Sequence, residues 1–107
     1  MSKPRYRWWG YVRTMIRDYP KLKAAPALTH DDRTVLEAVK NAIGMIDGTD
    51  NGPEKLKLIH LMYWVPRPMP GKSAALHLNI AEITAKRWHG EFVRQVARSY
   101  GFTLDDD

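Results

Sequence analysis

One segment in the C-terminal third of the chain constrains its fold more than any other, the run Ala74–Trp88, AALHLNIAEITAKRW. Two alanines open the segment, where two packed helices would approach each other closely. Asn79 falls where a turn needs left-handed backbone, which Asn tolerates better than most residues. Apolar residues occupy the remaining packing positions: Leu78, Ile80, Ala85 and Trp88. This order is typical of two short helices packed at a steep angle, so we predict a helix-turn-helix.

The charge of the chain favours a polyanionic partner for this motif. Lysine and arginine number 17 against 12 acids, which gives a net charge of +5. Residues 1–23 hold one acid, Asp18, and seven bases: Lys3, Arg5, Arg7, Arg13, Arg17, Lys21 and Lys23. Two ordinary core helices would explain the apolar positions of 74–88 but not this charge. Nucleic acid is the usual partner of such a domain, and no apolar run approaches transmembrane length, so we expect no membrane partner.

Length and periodicity predict one all-α domain. A chain of 107 residues is too short for two units that each bury a stable core. Apolar residues recur at helical spacing throughout, and no segment alternates for long enough to indicate a strand. We therefore predict an all-α fold of about five helices. The chain has no cysteine for a disulfide framework and no apolar leader, so we expect it to stay in the cytoplasm.

Proline and glycine mark the ends of the predicted helices. The first helix runs from about Arg5 to Asp18 and stops before Pro20, because the residue that precedes a proline avoids helical geometry. The second opens on a capping box at Thr29 and ends at Gly48.

The third predicted helix begins at Pro53 and finishes by Val65, since three prolines follow. The fourth covers about Lys72–Leu78 and the fifth Glu82–Tyr100. The single domain 1–107 is thus divided into an N-terminal helical scaffold, a proline-rich hinge, the helix-turn-helix and an acidic tail: 1–65, 66–71, 72–101 and 102–107.

The fifth predicted helix has an apolar side and a basic side. At about 100° per residue, Arg87, Arg94 and Arg98 gather opposite the apolar residues, and only Glu91 dilutes their charge. The N-terminal part of the second helix of such a motif enters the major groove of DNA. We therefore predict that four residues reach base edges: Glu82, Ile83, Lys86 and Arg87. Four others are predicted to contact phosphate: Lys72, Ser73, Arg94 and Arg98.

Three segments carry a resemblance to a known family. They are a basic aromatic helix that closes in Asp18-Tyr19-Pro20, an apolar helix that ends in tyrosine, and the helix-turn-helix with the apolar pairs after it: 11–20, 58–63 and 75–97. In their order and spacing the chain resembles the small phage-encoded late transcription regulators of the ArpU/RinA type. The C-terminal half of those proteins is similar to the DNA-binding region four of sigma factors. Here Ala81 stands where the family typically has Ser, which removes a helix cap worth about 1 kcal/mol.

The resemblance implies a sequence-specific protein that binds double-stranded DNA in a bacterial host and activates late genes of a phage or prophage. RNA polymerase is a further partner in that interpretation. Two alternatives stay open: a DNA-packaging protein of the small terminase type, and an antiterminator that acts on RNA polymerase. Homo-oligomerisation is also open.

Other residue patterns indicate no chemistry. The histidines lack metal-ligand spacing, and Leu58 stands where a calcium loop at 47–52 would need its bidentate glutamate. No pairing of a nucleophile with a base can be read, so we expect no enzyme, no metal and no cofactor. Trp9 and Trp64 cannot share the core faces of their helices, so we expect one or both to lie exposed, where an exposed tryptophan would mark a partner surface.

Overall fold

The computed structural model describes residues 7–102, and within that range every regular element is helical. Five α-helices follow in chain order: α1 (Trp9–Ala24), α2 (His30–Asp47), α3 (Gly52–Ile59), α4 (Gly71–Leu78) and α5 (Glu82–Tyr100). A π-helical turn, His60–Trp64, continues α3 directly. The prediction of an all-α fold of about five helices is confirmed. Lys3 and Arg5, and the acidic tail beyond residue 102, lie outside the described residues.

Helix α5 lies at the centre of the bundle and packs against all four of the other α-helices. A larger apolar cluster joins the C-terminal half of α5 to α1 and α2, around the fully buried ring of Phe92. A smaller cluster joins the N-terminal half of α5 to α3 and α4, around Leu58 and Trp88. Both clusters depend on α5, so the bundle is held together through this one helix.

The connection between α4 and α5 has the turn that the sequence predicts. Asn79 has left-handed backbone, with φ 60° and ψ 45°, and the amide of Ile80 donates to the carbonyl of Ala75 at 3.0 Å. The small and apolar positions inferred for this motif come together in the smaller cluster: Ala74, Ala75, Leu78, Ile80, Ala85 and Trp88. Ala81 precedes α5 without a side-chain cap, as its identity requires.

Helix α1 is longer than predicted, because it continues through Pro20 to Ala24. The prediction that Pro20 ends this helix is wrong. Proline has no amide hydrogen, so the carbonyl of Ile16 loses its helical donor. The indole Nε1–H of Trp64 donates to that carbonyl at 2.7 Å, and the Trp64 ring packs on Tyr19 with 5.2 Å between centroids. A donor from another element therefore replaces the one that proline removes.

The π-helical turn brings two consecutive aromatic residues into the interior. Tyr63 is buried, and Trp64 is half-buried beside it. A π turn is wider than an α turn, so residues that regular helical spacing would place on different faces both pack inward here. Trp9 is half-buried as well, with its ring centroid 6.0 Å from that of Trp8. The expected exposure of Trp9 or Trp64 is therefore wrong.

Helix α2 begins and ends where the sequence predicts, but Gly48 does not have the left-handed backbone usual for a glycine at a helix end. The Thr29 hydroxyl accepts from the amide of Asp32 at 3.0 Å, so the predicted cap is confirmed. At the other end Gly48 has ordinary right-handed backbone, and the left-handed residue of this loop is Asn51, with φ 61°. The glycine that matters is Gly52, where a Cβ would collide with the carbonyl oxygens of Ile46 and Asp47.

We expect Trp64→Phe to lower the free energy of unfolding by about 1–3 kcal/mol, because it leaves the buried Ile16 carbonyl without a donor. In a Pro20→Ala background residue 20 regains an amide hydrogen, so the same substitution should cost measurably less. Urea unfolding of the four proteins of this double-mutant cycle gives both values. Equal costs in the two backgrounds would show that the Trp64 indole does not compensate for proline.

Candidate nucleic-acid interface

The solvent-facing side of α5 carries a narrow line of arginines. Arg87, Arg94 and Arg98, here called the arginine strip, fall within about 40° of one another around the helix axis. Arg87 and Arg98 are exposed and Arg94 is half-buried. Ile83 lies beside the strip, one turn before Arg87, and is 67% exposed. An apolar side chain so exposed beside cations is available to a partner.

Gly90 shapes the strip by leaving room for the side chain of Arg94. A Cβ at Gly90 would lie 3.1 Å from one terminal nitrogen of the Arg94 guanidinium. The Arg94 side chain therefore folds back by one turn toward the N-terminus of α5, over the buried Gly90. This conformation moves the charge of Arg94 toward Arg87.

The acid that was expected to dilute the strip is held by a lysine of another helix. The Nζ of Lys55 lies 3.0 Å from the Glu91 carboxylate and also donates to the Thr49 hydroxyl at 3.0 Å. Lys55 is only 7% exposed. A buried lysine needs a partner, so the partly exposed carboxylate of Glu91 is engaged by Lys55. Sequence reasoning missed this ion pair, because the two residues lie 36 positions apart on different helices.

The other residues predicted to contact DNA are also accessible. Glu82 and Lys86 are exposed in the first turns of α5, and Lys72 and Ser73 are exposed in the first turn of α4. Pro70, which precedes α4, provides no side-chain cap for the amides of that turn. Leu76, which sequence analysis did not single out, is the most exposed large apolar residue described, at 77%. The surface around the α4–α5 turn therefore combines exposed cations, one exposed acid, the uncapped backbone amides at the start of α4, and two exposed apolar side chains.

A second basic arrangement lies where α1, the π-helical turn and α5 meet. The Nε–H of Arg13 donates to the Tyr63 hydroxyl at 2.7 Å, and that hydroxyl is hydrogen-bonded to Nε2 of His89 at 2.6 Å. The guanidinium carbons of Arg13 and Arg17 lie 5.7 and 6.0 Å from the centre of the Tyr63 ring. We call these four residues the Arg13–Arg17 cluster. No sequence pattern predicts this cluster, because its four residues come from three separate elements.

Burial keeps the two titratable partners in this cluster neutral. Burial, and secondarily the charge of Arg13, lowers the pKa of His89 from 6.5 to about 4. Burial also raises the pKa of Tyr63, against the opposing effects of the Arg13 hydrogen bond and the two arginine charges. At neutral pH the imidazole and the phenol are therefore both uncharged, and the cluster keeps the full positive charge of its arginines.

Comparisons with known proteins identify no relative. No family model matches the chain, and no curated protein or solved structure matches it. Within residues 7–102, no three histidine or acidic side chains converge in a way that could hold a metal ion. No helix in the same range is both long and apolar enough to cross a bilayer.

We expect the stability of the protein to fall as the pH drops from about 6.5 toward 4. The lowered pKa of His89 means that the unfolded chain takes up a proton before the folded one, which removes about 3 kcal/mol over that range. Urea unfolding at several pH values should show a smaller dependence for His89→Gln. The exposed His77 provides the control, since His77→Gln should keep the wild-type profile. An unchanged profile for His89→Gln would contradict the assignment.

Proposed function

We propose that this protein is a sequence-specific regulator of transcription that binds double-stranded DNA and has no catalytic role. The observation that carries the proposal is the arginine strip, next to a tight α4–α5 turn and with its neighbouring acid held by Lys55. A line of cations whose neighbouring acid is already paired suits a polyanion better than water alone. The helical turn motif beside it suits the grooves of a duplex.

The N-terminal two turns of α5 are the part that we place in the major groove. Glu82, Ile83, Lys86 and Arg87 span about 8 Å along the axis, at a rise of about 1.5 Å per residue. An arginine there can bond guanine through two hydrogen bonds, and an apolar side chain such as Ile83 can contact the methyl group of thymine. The C-terminal half of α5 is enclosed by α1 and α2, so this half stays outside the groove.

The remaining cations are placed for the sugar-phosphate backbone. Arg94 and Arg98 lie about 10 and 16 Å along the axis from Arg87, which is beyond the groove in this arrangement. Lys72 and Ser73, in the first turn of α4, can meet phosphate through side chains and backbone amides. Such contacts orient the protein on DNA, whereas the first turns of α5 read its sequence.

The resemblance to ArpU/RinA-type regulators extends the proposal to a biological role. It favours activation of late genes in a phage or prophage, with RNA polymerase as the second partner. Duplex binding is the first requirement of that role, so it is tested first.

Arg87→Ala and Arg94→Ala should weaken DNA binding in different ways. Loss of a base contact at Arg87 should cost about 1–3 kcal/mol on a selected site and relax the preference at one base pair. Loss of a phosphate contact at Arg94 should weaken all sequences alike and lower the salt slope of log K by about one unit. Affinities for the selected site, its point variants and random duplexes distinguish the two effects.

Arg33→Ala is the matched control, because Arg33 is an exposed arginine on α2 that belongs to neither the strip nor the residues predicted to contact DNA. It should leave both affinity and salt slope near the wild-type values. Equal losses for the Arg87 and Arg94 variants on every sequence would contradict base reading by Arg87. Failure to bind any duplex at low salt would overturn the proposed function, and much tighter binding to single-stranded RNA would favour an antiterminator.

A further inference from the structure

The Arg13–Arg17 cluster lies on a different side of the molecule from the arginine strip. His89, which closes the cluster, is two residues from Arg87, so the two side chains leave α5 about 160° apart. The cluster therefore needs an explanation that the proposed function does not supply.

Two like charges are held together in this cluster without an acidic partner. Arg13 and Arg17 are one helical turn apart on α1, a spacing at which like charges destabilise a helix. Among the described residues, no carboxylate lies within ion-pair distance of either guanidinium. Tyr63 and His89 are neutral, so neither of them offsets the positive charge of the two arginines.

The side chain of Arg13 is held in place before any ligand binds. The Tyr63 hydroxyl holds Nε of Arg13, and the same hydroxyl is anchored on His89. Arg13 keeps its four terminal N–H hydrogens, and the exposed Arg17 keeps all five of its donors. Both guanidiniums lie within 6.0 Å of the centre of one aromatic ring. Preorganised guanidinium donors of this kind match the oxygens of a phosphate group.

We propose that Arg13 and Arg17, positioned by Tyr63 and His89, form a second phosphate-binding site that is separate from the arginine strip. The ligand is either a free phosphate ion or a phosphodiester group of a nucleic-acid segment that the strip does not hold. Arg17 supplies the accessible charge, and Arg13 supplies the fixed donors. The site does not depend on the proposed function, since inorganic phosphate alone can test it.

The first experiment follows the arginine Nε–H signals of the ¹⁵N-labelled full chain by NMR during titration with inorganic phosphate at constant ionic strength. The signals of Arg13 and Arg17 should shift together and saturate, while those of Arg33 and Arg87 stay nearly unchanged. Arg17→Gln should weaken the response of Arg13 at least tenfold. Arg33→Gln, which removes the same charge from α2, should not. Arg17 is exposed, so its replacement leaves the core intact.

The second experiment identifies a nucleic-acid source of the phosphate. If a phosphodiester occupies the site, Arg17→Gln should lower the salt slope for a short random duplex by about one unit, and Arg33→Gln should not. A free phosphate ligand gives the NMR response without this change in slope. The proposal is overturned if phosphate shifts no arginine signal selectively and the slope for Arg17→Gln equals that for Arg33→Gln. Loss of binding in Arg87→Ala alone would concern the strip and not this site.

Discussion

The burial of α5 is the constraint on which the rest of the structure depends. Its buried residues cover about 200° of the helix circumference, which is wide for a helix that also reaches the surface. Both apolar clusters are built on it, so a change in its position would disturb every other helix. About 160° remains for solvent, and Arg87, Arg94 and Arg98 lie within it. The same burial thus creates both the core and the arginine strip.

The packing of α1 on this helix is completed by aromatic groups with polar atoms. The Trp64 indole satisfies a carbonyl that Pro20 has freed, and the Tyr63 hydroxyl joins Arg13 to His89. Both residues are in the π-helical turn, whose wider spacing directs neighbouring side chains to the same interior.

Charge is distributed over two surfaces on different sides of α5. On one side Lys55 holds Glu91, so the arginines of the strip face solvent without a neighbouring free acid. On the other side two arginines share one aromatic ring, and burial keeps the adjoining imidazole uncharged. A basic protein can carry its excess charge as scattered solvated side chains, but here contacts inside the fold define the positions of Arg13 and Arg94. Fixed cations are better suited to recognising phosphate than mobile ones, because less conformational entropy is lost on binding.

The sequence by itself determined the helical class, the cap at Thr29, the left-handed Asn79 and the apolar positions of the α4–α5 turn. These features depend on local propensities and on periodicity, which residue types express directly. It also indicated which residues of α5 face outward, since regular helical spacing holds there. Tertiary structure alone decided that α1 passes through Pro20, that Glu91 pairs with Lys55, and that Arg13 meets Tyr63 and His89. Each of these depends on a donor, an acceptor or a charge from a distant part of the chain, and no local pattern encodes such a partner.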